Sequence, residues 1–265
     1  MRRLLLIGLL LVCQTALAQP DPFPKVATSY LVLVDGKVMW ERQPDRRLPP
    51  ASLTKLMTAL LLVEGGQLND TVTVTAAAEH ETGSHIGLKE GEQFRSEDLL
   101  AAMLIASAND ACRALADHAG GSEARFVQMM NQRAQQLGLR HTHFANACGH
   151  DARNHYSSTR DLARLARELL KHVEITGFTA RPDAQIVTLD GARSYHFAST
   201  NALIGRYPGA LGLKTGYTAR AGKCLVAYAT RGETQVLLVM LHGNDRWWDA
   251  VDIMDIAFAH AHTSS

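Results

Sequence analysis

The chain has 265 residues, 46% of them hydrophobic, with 27 basic against 26 acidic side chains. That is enough apolar material for one substantial core or two modest lobes. The charge balance is too even for a net field to draw the protein to nucleic acid or to an anionic membrane, so any ligand must be found by shape and local charge.

Met1-Arg2-Arg3 leads into an apolar run from Leu4 to Cys13 and then Ala16-Leu17-Ala18, a small-x-small site before Gln19-Pro20. This is the pattern of a secretory signal peptide over residues 1–18. About ten apolar residues are too few to span the ~30 Å of bilayer hydrocarbon. Val12 stands before Cys13, where a lipoprotein signal has a small residue. Residues 19–265 are expected to form a single exported domain with no membrane anchor. Its cysteines are Cys112, Cys148 and Cys224, an odd number that leaves at least one unpaired, though export permits disulfides. No Cys-x-x-Cys spacing occurs, and buried structural thiols are the expectation.

From Thr28 the β-rich run to Val34, the turn Asp35-Gly36 and the run Lys37 to Arg42 read as a β-hairpin. Helical periodicity follows at Leu53–Val63, Ser96–His118, Ser122–Leu137 and Ser158–His172, with Gly65-Gly66, Gly120-Gly121 and Gly138 as stops and Ser96, Ser122 and Ser158 as plausible N-caps. The stretch from Asn146 to Tyr156 is the loosest part of the chain. A second hairpin is read from Cys224–Thr230 and Thr234–Leu241 around Arg231-Gly232-Glu233. Residues 245–262 form an amphipathic helix with Trp247, Val251, Met254 and Phe258 on one face and Asp249, Asp252 and Asp255 on another; the acidic face fits packing on a sheet rather than adsorption to a membrane. Strands from both chain ends with helices between them predict an α+β fold, an antiparallel sheet of about five strands packed with a helical lobe, and a cleft between the two.

Three motifs carry chemistry: Ser52-Leu-Thr-Lys55, Ser107-Ala-Asn109 and Lys214-Thr-Gly216. Ser-x-x-Lys alone is uninformative, because at ~6% of each residue type a chain this long holds about one by chance. The ordered triplet is different, since only seven lysines stand against twenty arginines and two of the seven fall where the motifs need one. Pro49-Pro50 precedes Ser52 and an apolar helical stripe follows, which places Ser52 at a helix N-terminus suited to stabilising an oxyanion. Lys55, one turn on, can fold back as the base. A lysine of ordinary pKa must fall by ~2.5 units, about 3.4 kcal/mol, to serve near neutrality; burial and a nearby Lys214 are the expected causes.

Ser107 reads as a turn between helices and a proton relay, and Asn109 as a ligand for both the Lys55 amine and a substrate amide. Lys214 and Thr215, on a glycine-flanked strand that a substrate can extend, suit a terminal carboxylate. Gly216 keeps the edge free of bulk, and the Tyr217 N–H completes an oxyanion pair with Ser52.

With Pro50-Ala-Ser-Leu-Thr-Lys55, Ser107-Ala-Asn-Asp-Ala-Cys112, Leu137-Gly-Leu-Arg-His-Thr-His-Phe144, His155-Tyr-Ser-Ser-Thr-Arg-Asp161 and Gly212-Leu-Lys-Thr-Gly-Tyr217 in this order, residues 25–262 resemble the low-molecular-weight penicillin-binding proteins, the serine D-alanyl-D-alanine carboxypeptidase family. The resemblance implies a β-lactamase-like transpeptidase fold and a serine carboxypeptidase acting on peptidoglycan stem peptides ending in D-Ala-D-Ala. It implies an acyl-enzyme on Ser52, with Lys55, Ser107 and Asn109 catalytic and Lys214 and Thr215 on the substrate carboxylate. It also implies β-lactams as covalent inhibitors, no cofactor or metal, and a periplasmic role in cell-wall remodelling and cell shape. Tyr217, where some members have His, with Gly222-Lys-Cys-Leu225, resembles the endopeptidase branch that cuts D-Ala crosslinks, which is the alternative.

A class A β-lactamase would need a loop carboxylate to activate the deacylating water, and Asp151 is the one loose candidate. A zinc site would draw on His141, His143, His150 and His155, whose spacing fits no strong metal motif. A catalytically idle peptidoglycan-binding scaffold would keep the fold without the activity.

Overall fold

The structure, a computed structural model, describes residues 21–263, so the signal-peptide segment 1–18 lies outside the described residues. In chain order the elements are β1 (Ala27–Val34), β2 (Lys37–Arg42), a 3-10 turn (Ala51–Thr54) running into α1 (Lys55–Glu64), β3 (Thr71–Thr73), α2 (Ala76–Glu79), β4 (Gln93–Arg95), α3 (Ser96–Ile105), α4 (Asn109–Gly120), α5 (Glu123–Gln136), α6 (Thr159–Leu169), α7 (Val173–Thr179), β5 (Asp183–Val187), β6 (Ser194–Ala198), β7 (Ala210–Thr218), β8 (Gly222–Arg231), β9 (Thr234–Gly243) and α8 (Arg246–Thr263).

A five-stranded antiparallel sheet in the order β2-β1-β9-β8-β7 joins the two ends of the chain. Both expected hairpins are present. Strand β1 is zipped onto β9 with Val32 opposite Leu238. Because side chains alternate along a strand, the sheet buries two faces. Leu31, Leu33, Val226, Leu237, Val239 and Leu241 pack into the helical lobe with α1, α3, α4 and α6. Tyr30, Val32, Leu225, Ala227, Leu238 and Met240 pack against Ala250, Ile253, Met254, Ala257 and Phe258 of α8. The molecule is thus a helical lobe, a sheet and a single covering helix, and β7 is the open edge that faces the 3-10 turn.

The helical run 96–118 is broken where Ser107 adopts φ +61, which separates α3 from α4. Ser122 and Ser158 cap α5 and α6 as expected, accepting from Arg125 N and Asp161 N. Ser96 does not cap: Arg95 occupies the cap position and Ser96 is the first helical residue. Two small ribbons, β3–β4 and β5–β6, and the short helix α7 have no counterpart in the sequence reading.

Two further expectations are corrected. Cys112 and Cys148 are not thiols but a disulfide, and only Cys224 is a free, buried thiol among the described residues. The segment 146–156 is irregular yet not loose. Asn146 Oδ1 accepts from Gly149 N and His150 N, Ala147 N donates to Glu123, Thr58 donates to the Ala147 carbonyl, and Cys148 is cross-linked.

Candidate active site

Pro50 accepts the first turn bond, from Leu53 N at 3.2 Å, so Ser52 sits in the 3-10 turn with a backbone N–H that has no intrahelical acceptor. Two glycines back onto that turn. A Cβ on Gly216 would lie 3.0 Å from Ser52 N, and one on Gly149 would lie 2.8 Å from it and collide with the Ala51 carbonyl. Side-chain bulk at either position would close the space in front of Ser52.

The turn is braced from inside. Thr54 Oγ1 donates to the Ala51 carbonyl at 2.8 Å and lies 2.8 Å from His155 Nε2, while His155 Nδ1 accepts from Ala145 N at 3.1 Å. An Nδ1 that accepts leaves the ring proton on Nε2, so His155 donates to Thr54. Burial pushes the pKa of His155 down to about 4, and His143 pushes the same way; the ring is neutral at physiological pH.

Lys55 is fully buried. Its amine lies 3.0 Å from Ser52 Oγ, 2.6 Å from Asn109 Oδ1 and 2.6 Å from the Cys148 carbonyl. As an ammonium it donates to all three. As an amine it keeps two N–H groups, and since Asn109 Oδ1 and the Cys148 carbonyl can only accept, both N–H groups stay with them and the lone pair faces the Ser52 hydroxyl. Burial lowers the Lys55 pKa to about 7 against the opposing pull of Glu81 and Asp110. Burial thus carries the shift, and Lys214 is not among its causes. The influence runs the other way: Lys214 is held well below its usual range by burial, then by Lys55, then by Arg246.

Lys214 lies on β7 and donates to the Thr215 carbonyl at 3.1 Å. Thr215 Oγ1 is 2.9 Å from Thr200 Oγ1, which fixes the hydroxyl beside the lysine. Tyr217, next along the edge after Gly216, is 66% exposed on the rim. Ser107, between α3 and α4, is buried with its hydroxyl unpaired among the described residues. Asn109 does only part of what its sequence position suggests. Its Oδ1 holds Lys55, but its amide donates to the Thr82 carbonyl, leaving one N–H for a substrate. The 82–88 loop that supplies this carbonyl is anchored on the buried Asp110 carboxylate, which accepts from Ile86, Gly87 and Leu88 N.

Ser52, Lys55, Asn109, Lys214 and Thr215 are therefore gathered where the helical lobe meets β7. The sequence reading weighed His155 only as a zinc ligand and missed its bracing role, and it missed Thr200 and Arg246, which donates to the Gly216 and Cys224 carbonyls at 2.8 and 3.2 Å and ties α8 to the β7 edge. His155 stands in a quoted block of the resemblance; Thr200 and Arg246 carry no local signal. Asp151 accepts from Thr218 Oγ1 at 2.8 Å, which engages the one loose carboxylate. His141, His143, His150 and His155 face four separate partners, Asp45, the Asn154 carbonyl, Glu81 and Thr54, so they do not converge.

A family model described as D-alanyl-D-alanine carboxypeptidase matches residues 14–245. The D-alanyl-D-alanine carboxypeptidase DacF of Bacillus subtilis is 37% identical over 236 residues, 86% of this chain and 60% of that protein. The chain thus spans about three fifths of that relative's length. The crystal structure of a D-alanyl-D-alanine carboxypeptidase from Mycobacterium tuberculosis superposes with a TM-score of 0.84 at 31% identity, covering 91% of this chain and 93% of that one. Penicillin-binding protein D2 of Listeria monocytogenes in its ampicillin-bound form gives 0.77 at 32% identity, covering 89% and 98%.

Proposed function

This chain belongs to the D-alanyl-D-alanine carboxypeptidase family, and we propose that it is an exported serine carboxypeptidase that removes the terminal D-Ala from peptidoglycan stem peptides through an acyl-enzyme on Ser52. Residues 19–265 act as its catalytic domain after removal of residues 1–18, and the periplasm is its place of action. The observation that carries the reading is the Lys55 amine, buried, with its two N–H groups taken by acceptor-only oxygens and its remaining valence 3.0 Å from Ser52 Oγ.

Lys55 accepts the Ser52 proton as Oγ attacks the carbonyl of the penultimate D-Ala. The N–H groups of Ser52 and Tyr217 receive the negative charge that develops on the carbonyl oxygen, as preorganised donors do in acyl transfer. Ser107, with its hydroxyl unengaged, hands a proton to the departing D-Ala amine, and Lys55 resupplies it. Water then attacks the ester, and the proton returns through Lys55 to Ser52. The substrate carboxylate meets Lys214 and Thr215, and its charge favours the ammonium form that burial, Lys55 and Arg246 disfavour. β-Lactams enter the same path and stop at the ester.

The test is intact-mass analysis after exposure to benzylpenicillin. Wild type should gain one penicillin mass, mapped by proteolysis to the peptide containing Ser52, and Ser52→Ala should gain none. An adduct that persists in Ser52→Ala contradicts the mechanism.

A further inference from the structure

The two oxygens that hold the Lys55 amine come from distant parts of the chain. Asn109 opens α4, and the Cys148 carbonyl lies in the irregular segment beyond α5. The disulfide joins these same two places: Cys112 lies in the first turn of α4, three residues after Asn109, and its partner is Cys148 itself, with the Cα atoms 5.9 Å apart. We propose that the Cys112–Cys148 disulfide is a positioning clamp for the general base, which holds the Asn109 side chain and the Cys148 carbonyl at the separation that aims the Lys55 amine at Ser52, so that full acylating power belongs to the oxidised protein. The inference rests on the acyl-enzyme reading above.

The surroundings separate clamping from mere stabilisation. Segment 146–156 keeps other ties to the body of the protein, through Thr58, Glu123 and the His155–Thr54 contact, so breaking the sulfur bridge leaves the fold anchored. Apart from long sulfur contacts made by the same two cysteines, Cys148 Sγ to the Asn109 carbonyl at 3.8 Å and Cys112 Sγ to the Ala147 carbonyl at 3.4 Å, the disulfide is the direct link between α4 and residue 148 at the point where both reach Lys55. Sub-ångström looseness in a catalytic constellation is enough to lose most of its rate. Both half-cystines are buried, and the only other cysteine among the described residues is the free Cys224, so a reductant acts there on one bond.

The groups facing Lys55 are Glu81, after α2, and Asp110, on α4, which favour its ammonium form, and Lys214, on β7, which its charge disfavours. Glu81 is itself flanked by Arg113 and His150. A loosened 146–156 segment admits water to Lys55 and weakens the burial that holds it down, which moves its titration upward.

The experiment follows the second-order rate of benzylpenicillin acylation by intact mass from pH 5.5 to 10. It compares oxidised wild type, Cys112→Ala/Cys148→Ala, and wild type reduced by a water-soluble phosphine and desalted under argon. Reduction adds two electrons and two protons to the disulfide, and the phosphine leaves as its oxide. Peptide mapping of the oxidised protein should find Cys112 and Cys148 joined. Its rate should rise with pH through a limb near 7. In the reduced and variant proteins the limb should move up by about one pH unit and the rate at pH 7 should fall about fivefold, with the deficit shrinking above pH 9; one pH unit of movement is what tenfold weaker suppression of the ammonium form gives, and at the original midpoint it lowers the neutral fraction about fivefold. A purely structural cross-link would lower the unfolding midpoint and leave the limb in place. Free thiols at both positions in the oxidised protein, or rates within twofold and an unmoved limb in all three, overturn the clamp alone. An oxidised wild type that forms no adduct at any pH overturns the acyl-enzyme reading and the clamp together. Because the reduced wild type has the native composition, its result stands even if the double variant fails to fold.

Discussion

In the proposed mechanism Lys55 takes a proton from Ser52 near neutrality, and the burial that makes its neutral amine accessible there comes at a cost to the fold. Its pKa of about 7 lies below the 10.5 of an exposed lysine. Between those values the unfolded chain binds a proton that the folded chain lacks, so stability rises with pH across that window and is lost as pH falls toward 7. Lys55→Met should abolish penicillin acylation and also remove this dependence. The unfolding free energy of wild type relative to the variant should climb by up to ~1.4 kcal/mol per pH unit between pH 7 and 10, as read from denaturant titrations, and flatten below pH 7. Parallel curves would show that Lys55 is ordinarily charged in the folded state. At this scale the sequence was most legible where two motif residues lie one turn apart, as Ser52 and Lys55 do. It was least legible where partners come from distant segments, as His155 reaches Thr54 and Thr200 reaches Thr215. It also assigned to Lys214 an influence on Lys55 that burial exerts alone.

The 3-10 turn that carries Ser52 is shaped by its neighbours as much as by its own residues. Gly149 adopts φ +95, and a side chain there would run into the Ala51 carbonyl. Gly149→Ala therefore combines an unfavourable backbone region with a clash, and each effect is of the order of 1–3 kcal/mol. A loss of at least ~2 kcal/mol in denaturant unfolding, with slowed acylation, is expected; unchanged stability and rate would mean that the segment yields easily and does not brace the turn. Elements with strong local signals, the two hairpins, α5 and α6 with their serine caps and the long α8, matched the sequence periodicity. Strands β3 and β4, three residues each, are too short to show alternation, and Ser96 looked like a cap because nothing in the sequence reveals that Arg95 is the residue in extended conformation before α3.

On the scale of the whole molecule, the sheet assembled from both chain ends makes the open edge β7 and the turn that carries Ser52 neighbours, and this juxtaposition gathers the site residues. Strand-rich ends around a helical middle made that architecture readable. The Cys112–Cys148 bridge was not, because pairing depends on a Cα separation that spacing along the chain does not disclose. Charges that nearly cancel overall leave recognition to shape and local charge, and in the proposed reading the buried Lys214 meets the substrate carboxylate. The most direct test is to incubate the purified protein, beside Ser52→Ala, with a muropeptide mixture of pentapeptide monomers and D-Ala-linked dimers and to weigh the products. Loss of a single alanine from the pentapeptides by wild type alone is the predicted result. Pentapeptides left intact while dimers become monomers would make the protein an endopeptidase, and no change in either would contradict a catalytic role.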